Sequence, residues 1–427
     1  MRGLNDIGLG CCSDEKKSFA GWLETSSYLD DCFCKGYVCS MDDTRIVYLD
    51  NNATTQLAPE VQKAVADVEA SVYGNASSMH TFGRRAGALV EEARRNVADL
   101  IDCNPDEITF TSGASESNNT VFEIARSIIE KRGGGRIVTT TIEHPSIMET
   151  VKYLRSEGIT VDMAPVDKEG RVRIDELKKL LGDGVVLVSV MTGNNETGSI
   201  QEVGLISELA HACGALFHTD ATQAIGKIEV SCRKWNLDFL SCSGHKFYGP
   251  KGVGVLYAKK GVPFQPFVHG GEQEHGRRAG TYNTPAIYGL GIAAKLAKEG
   301  LQEEHDRLWA MREKLRKGIV ASVPNVVVNG CQEHCLPGTL DVSFENVEGE
   351  SILLMLDMRG IAVSTGSACA TGSLEPSYVL LAGGLDVELA HGSIRFSFGR
   401  YNTMEDVDYV LAVLPPIIER LRAISTR

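Results

Sequence analysis

No run of about 18 or more apolar residues occurs in this 427-residue chain, so it holds no segment suited to a transmembrane helix. The first residues lack the apolar core of a signal peptide. Asp6, Asp14, Glu15, Glu24, Asp30 and Asp31 against few basic residues also make a poor transit peptide. Basic charge is short as well: 43 Lys and Arg stand against 56 Asp and Glu, for a formal net charge of −13. Nucleic acid and anionic membrane surfaces both favour a basic face, so neither is expected as a partner. The default is a cytoplasmic protein with small-molecule or protein partners. Regular cysteine spacing is missing too. The 12 cysteines are scattered over a long chain, unlike a disulfide framework, and are expected to be thiols in a reducing compartment.

The same irregularity argues against metal. Cys32, Cys34 and Cys39 lack the two-residue spacers of zinc knuckles, and Cys331, His334 and Cys335 lack a fourth ligand nearby. The second group reads as an incidental exposed cluster, and Cys103, Cys213, Cys232 and Cys242 read as packing residues; no metal site is expected.

What the chain does have is a 43% hydrophobic content, enough for a large core and two domains. Residues 1–40 carry five of the cysteines and no sustained period, which reads as a disordered extension, with Met41 a candidate start. From 41 to 300 short β-branched runs alternate with helical segments. This predicts βα units on a mostly parallel sheet. The runs EITFTSG, GRIVTTTIEH, VVLVSVMTGNN, ALFHTDATQ, DFLSCSGHK and GVGVLYAKK share an apolar strand, and several end in a polar cluster. In an open α/β sheet such clusters converge beyond the carboxyl ends of the strands. Residues 301–427 read as a smaller α+β domain, opening with the amphipathic helix LQEEHDRLWAMREKLRKGIV and then PNVVVNG, GTLDVSFENV, SIRFSFGRYNT and a closing helix. The segment near 41–60 is free to pack with it.

Three clusters point to one chemistry. Lys246 follows an apolar strand in SCSGHKFYGPKG; a lysine partly withdrawn from water has a depressed pKa and can act as an amine nucleophile that forms a Schiff base. Asp220, in HTDATQ, ends another strand. It suits a helix N-cap, or the carboxylate that keeps a pyridine nitrogen protonated. TSGASESNN (111–119) offers a Gly turn and a helix start whose N–H groups suit a phosphate. Ser243 and His245 add donors. Cys369, in STGSACATGS, has only small neighbours and no packing reason to be there.

The set YLDNNATT, TSGASES, EHPSIMET, NNETGSIQ, FHTDATQAIGK, SGHKFYGPKGVG, GRRAGT, STGSACATGSLEPSY and HGSIRFSFGRY resembles the group I cysteine desulfurases, the NifS and IscS type. These belong to the class V aminotransferase family of pyridoxal phosphate enzymes. The resemblance runs from about Tyr48 to the C-terminus. It implies a fold-type I enzyme: an α/β large domain with a mostly parallel, seven-stranded-type sheet and a smaller α+β C-terminal domain. It further implies that Lys246 is the Schiff-base lysine, Asp220 the partner of the pyridine nitrogen, and His144 a ring-stacking residue that helps move protons. Gln223 and Asn195 are implied near the ring hydroxyl and the substrate, and Ala114, Ser115, Ser243 and His245 around the phosphate. The family usually has Thr where Ser115 stands, and the hydroxyl is kept. Thr281 is implied to reach the phosphate of a neighbouring subunit, hence a homodimer, and Arg395 to clamp the substrate carboxylate with its planar fork.

The implied reaction turns L-cysteine into L-alanine and leaves the sulfur as a persulfide on Cys369, for an iron–sulfur scaffold protein. Its loop is expected to continue unstructured through LEPSYVLLAGGL. Selenocysteine lyase, cysteine sulfinate desulfinase and a catalytically silent iron–sulfur assembly scaffold stand as alternatives.

Overall fold

In a computed structural model the described residues are 45–366 and 375–424. The expectations for residues 1–40 and for Cys369 therefore lie outside the described residues. In chain order the strands are β1 (Val47–Tyr48), β2 (Ile108–Thr111), β3 (Arg136–Thr140), β4 (Thr160–Ala164), β5 (Val185–Ser189), β6 (Leu216–Asp220), β7 (Phe239–Ser243), β8 (Gly254–Ala258), β9 (Val326–Asn329), β10 (Thr339–Phe344), β11 (Ile361–Ala362) and β12 (Ser393–Ser397).

Seven of them form one sheet in the order β2-β8-β7-β6-β5-β3-β4. β3, β4, β5, β6 and β7 run parallel, and β8 runs antiparallel to both β2 and β7. The central strands VVLVS and FLSCS are buried at every position, as expected of a sheet covered by helices on both faces. β4, at the edge, mixes buried and exposed residues, which is why its sequence TVDMA gives a weak strand signal. Each fully buried Phe122, Phe217 and Phe239 contributes about 1.5–3 kcal/mol by leaving water.

A second apolar cluster gathers Leu308, Met311 and Leu315 from the helix Leu301–Ser322, Val407 and Val410 from the helix Met404–Ile424, and Leu340 and Phe396 from the antiparallel sheet β12-β10-β9. Val47 and Leu49 belong to this cluster, and β1 pairs in parallel with β11. The chain thus touches this core first, builds the seven-stranded sheet, and returns.

The structure corrects two expectations. The stretch LEPSYVLLAGGL is not loop throughout: Tyr378–Ala382 is a short helix, followed beyond the stretch by another, Val387–His391. The Ser377 hydroxyl caps the first by accepting from the Val379 and Leu380 N–H groups, and both apolar side chains are buried. Cys331 and Cys335 are not exposed but buried, because their loop folds back onto Ser199, whose hydroxyl accepts from Cys331 N at 2.9 Å. Among the described residues no group of three or more His, Cys, Asp or Glu is placed to hold a metal.

Candidate active site

Because β3, β5, β6 and β7 are parallel, their carboxyl ends share one edge of the sheet. β2 points the same way, since two antiparallel steps through β8 restore its direction. A cavity of about 540 Å³ opens at that edge. Its lining includes Ala114, Ser115, His144, Asn195, Asp220, Gln223, Ser243, His245 and Lys246, together with Thr54, Met191, Thr222 and Lys251. Nine site residues expected from sequence are therefore brought together. The amino end of β8 closes the same edge. A Cβ at Gly254 would lie 2.6 Å from Gly113 Cα, so only glycine lets β8 pass under the turn that starts the helix Ala114–Arg132.

Asp220 ends β6 nearly buried, its Oδ1 accepting from Thr222 N at 2.9 Å and its Oδ2 from Asn118 Nδ2 at 2.7 Å. It therefore closes a local turn, since no helix starts there, while still lining the cavity. His144 is the N-cap of the helix Pro145–Ser156, with Nδ1 accepting from Ser146 N at 3.1 Å. Burial lowers its pKa; the Lys246 charge lowers it further and Asp220 partly offsets both. His245 is pushed down to about 4 by burial and the charges of Lys246 and Lys251. Both rings are thus neutral near pH 7.

Lys246 Nζ donates to the carbonyls of Asn52 at 2.6 Å and Ala53 at 2.8 Å. Sequence reasoning had not given the YLDNNATT segment a part in the site, yet Asn52 is its hub. Its carbonyl also accepts from Gln223 Nε2 at 2.9 Å, and its Nδ2 donates to Asn195 O and Thr339 Oγ1. Lys227 was missed too. This buried lysine donates to Asn52 Oδ1 and Gln223 Oε1, both at 2.9 Å. Burial, then the charges of Lys246 and Arg395, push its pKa down to about 7. The QAIGK stretch signals it only as a helical i,i+4 pair with Gln223. A third missed group is Glu143, buried, with Oε1 accepting from Thr140 Oγ1 at 2.6 Å and Met191 N at 3.0 Å. Burial pushes it up to about 8, so it is largely protonated near pH 7.

Gly113 gives the helix Ala114–Arg132 no side-chain cap, and its first turn faces the cavity through Ala114, Ser115 and Glu116. The Glu116 carboxylate accepts from Ser112 N at 2.8 Å and pairs with Arg278 at 2.9 Å. Thr281 does not line this cavity. It borders a smaller recess that shares Ser112 and Gly252 with it. Arg395 also stands back: its fork donates to Asn195 O at 2.9 Å and to Asp50 Oδ1 at 2.7 Å. Its Nε has no partner among the described residues. The buried cysteines are poor competitors for thiol chemistry, since burial pushes Cys242 up to about 12 and Cys335 up to about 11.

Comparison with known proteins gives a consistent match. The family model for aminotransferase class-V matches residues 47–410. A cysteine desulfurase of Gluconacetobacter diazotrophicus is 46% identical over 381 residues, covering 89% of this chain and 95% of the relative. The cysteine desulfurase NifS of Azotobacter vinelandii is 44% identical over 89% of this chain and 94% of its own length, and the cysteine desulfurase IscS of Clostridium botulinum 46% over 89% and 96%. A solved NifS-like protein superposes with a TM-score of 0.83 at 40% identity, covering 88% of this chain and all of that one. Its sheet order, its cavity and these relatives agree: the chain belongs to the aminotransferase class-V family, among the cysteine desulfurases of the NifS and IscS type.

Proposed function

We propose that this chain is a cytoplasmic, pyridoxal 5′-phosphate-dependent cysteine desulfurase that converts L-cysteine to L-alanine and hands the sulfur, as a Cys369 persulfide, to an iron–sulfur assembly protein. The observation that carries the reading is the convergence of the Lys246 amine, the Asp220 carboxylate and the first turn of a helix on one cavity. The cavity also fits a polar ligand in a second way: Thr222 Oγ1 is buried at its wall with no partner among the described residues.

In this reading Lys246 would hold the cofactor covalently and Asp220 would pair with its ring nitrogen. His144 would cover the ring, Gln223 would serve the ring hydroxyl, and Ala114, Ser115, Ser243 and His245 would receive the phosphate. When bound, the cofactor supplies an electron sink for the pair left on the substrate Cα. Lys246 carries the proton from Cα. Asn195 and Arg395 orient the substrate carboxylate, Arg395 by exchanging the Asp50 carboxylate for it. The Cys369 thiolate forms an S–S bond as the Cβ–S bond breaks; Cβ takes up a proton, and Cα regains the one Lys246 carried, which completes alanine. The position of Thr281 in a neighbouring recess supports its service to the site of a second copy, in a homodimer. The separate apolar cluster built from residues after 300 supports a division into domains 41–300 and 301–427, with the segment after 41 returning to the second.

The test is alanine formation from L-cysteine. Cys369→Ala is expected to abolish it while the protein stays coloured and is bleached by borohydride through Lys246. Full retained activity would sink the desulfurase reading in favour of a lyase or desulfinase, and a colourless wild-type protein would favour a silent scaffold.

A further inference from the structure

We propose that Asn118 and Ser146 are positioning residues that lock His144 in the Nε2–H tautomer. The inference rests on the reading of the cavity as the reaction site. Asn118 is fully buried on the helix Ala114–Arg132. Its Nδ2 donates to Asp220 Oδ2 at 2.7 Å and to Ser146 Oγ at 2.9 Å. The orientation of this amide follows from its partners: the flipped amide would set Oδ1 against a carboxylate oxygen that only accepts. The cost is a buried Oδ1 with no partner among the described residues, a price retained where the geometry matters.

With both Nδ2 hydrogens spent, Ser146 Oγ accepts from Asn118 and has its own hydrogen for His144 Nδ1, 2.9 Å away. Ser146 N donates to the same nitrogen at 3.1 Å. A backbone N–H only donates, so a hydrogen on Nδ1 would point at another hydrogen. Neutral His144 therefore carries its hydrogen on Nε2. Any proton His144 takes up on Nδ1 must first break both Ser146 contacts. One chain of hydrogen bonds, Asp220–Asn118–Ser146–His144, thus orders two cavity groups on different strand ends.

The experiment is ¹⁵N NMR of His144 in the holoenzyme and in the cofactor-stripped protein. Wild type is expected as Nε2–H in both, so the result does not depend on desulfurase activity. In Ser146→Ala one of the two Nδ1 donors is gone, and proton affinity is expected to rise about tenfold, one pKa unit. Ser146→Thr should restore the wild-type value, and Asn118→Ala should shift the same way as Ser146→Ala. Asp220 and Lys246, the charged groups acting on the ring, keep their partners in both Ser146 variants, whereas Asn118→Ala also strips a donor from Asp220 Oδ2. Nδ1–H or a charged ring in wild type at neutral pH would overturn the proposal, as would a Ser146→Ala protein that titrates like wild type. Loss of folding in Asn118→Ala leaves the half-exposed Ser146 pair to decide.

Discussion

Two sets of groups make the cavity, and they are built by different means. One set is side chains at the ends of parallel strands: His144 after β3, Asp220 on β6, Lys246 after β7. The other is the 50–55 segment, which contributes backbone carbonyls at Asn52 and Ala53 and is held from behind by Ser397 and Thr339 of the antiparallel sheet. Removing a member of the first set is expected, on the proposed function, to delete chemistry. Removing a member of the second unties the place where the two cores meet, so stability should respond as strongly as rate.

The sharpest test of that contrast is Lys246→Ala, expected to lower alanine formation by at least about 10²–10⁴-fold, the range of a positioned proton-transfer group. Its melting temperature should change little, which thermal unfolding checks. Next is Asn52→Ala. It strips partners from Lys227, Asn195 O and Thr339 Oγ1, and is expected to cost about 2–4 kcal/mol in denaturant unfolding, with activity falling alongside.

Lys227 offers a pH test of the same hub. Its folded pKa, about 7, lies below its ordinary value of 10.5. The unfolded chain therefore binds more protons between pH 7 and 10.5, and stability rises with pH across that window. Lys227→Met removes the titrating group, so the difference in melting temperature between variant and wild type should shift steadily from pH 7 to 10. A constant difference would show that the ammonium is not buried as described.

The smallest effect is expected at Glu143. With its carboxyl raised to about 8, Glu143→Gln resembles the protonated form and keeps an oxygen for Thr140 and Met191 N. It should change stability near pH 7 by under about 1 kcal/mol, whereas Glu143→Ala leaves two buried donors unpaired and costs about 2–4 kcal/mol. Equal losses in the two variants would contradict a neutral carboxyl.

Much of the first set was legible in the chain, because strand-end polar clusters follow from a continuous apolar run, buried on both faces of the sheet, that stops at a fixed edge. Asp220 and Lys246 needed only that their strands be parallel. The second set was not legible in the same way. Asn52 works largely through its backbone carbonyl, which any residue has, and the side-chain contacts that make it a hub reach as far as Thr339. Lys227 looks like any helical surface lysine until Asn52 covers it. The burial of Cys331 and Cys335 likewise depends on Ser199, more than 130 residues away in the chain.

By itself the sequence determined most of the strands, their polar ends and the family they resemble, since these depend on local apolar runs and on motifs that each lie within about 15 residues. Tertiary structure alone decided which carbonyls meet Lys246, why Arg395 is engaged by Asp50 and how Asn118 ties Asp220 to His144. Those contacts join groups 28 to 345 residues apart, and no local propensity records the energy of a hydrogen bond whose partner is chosen by the fold.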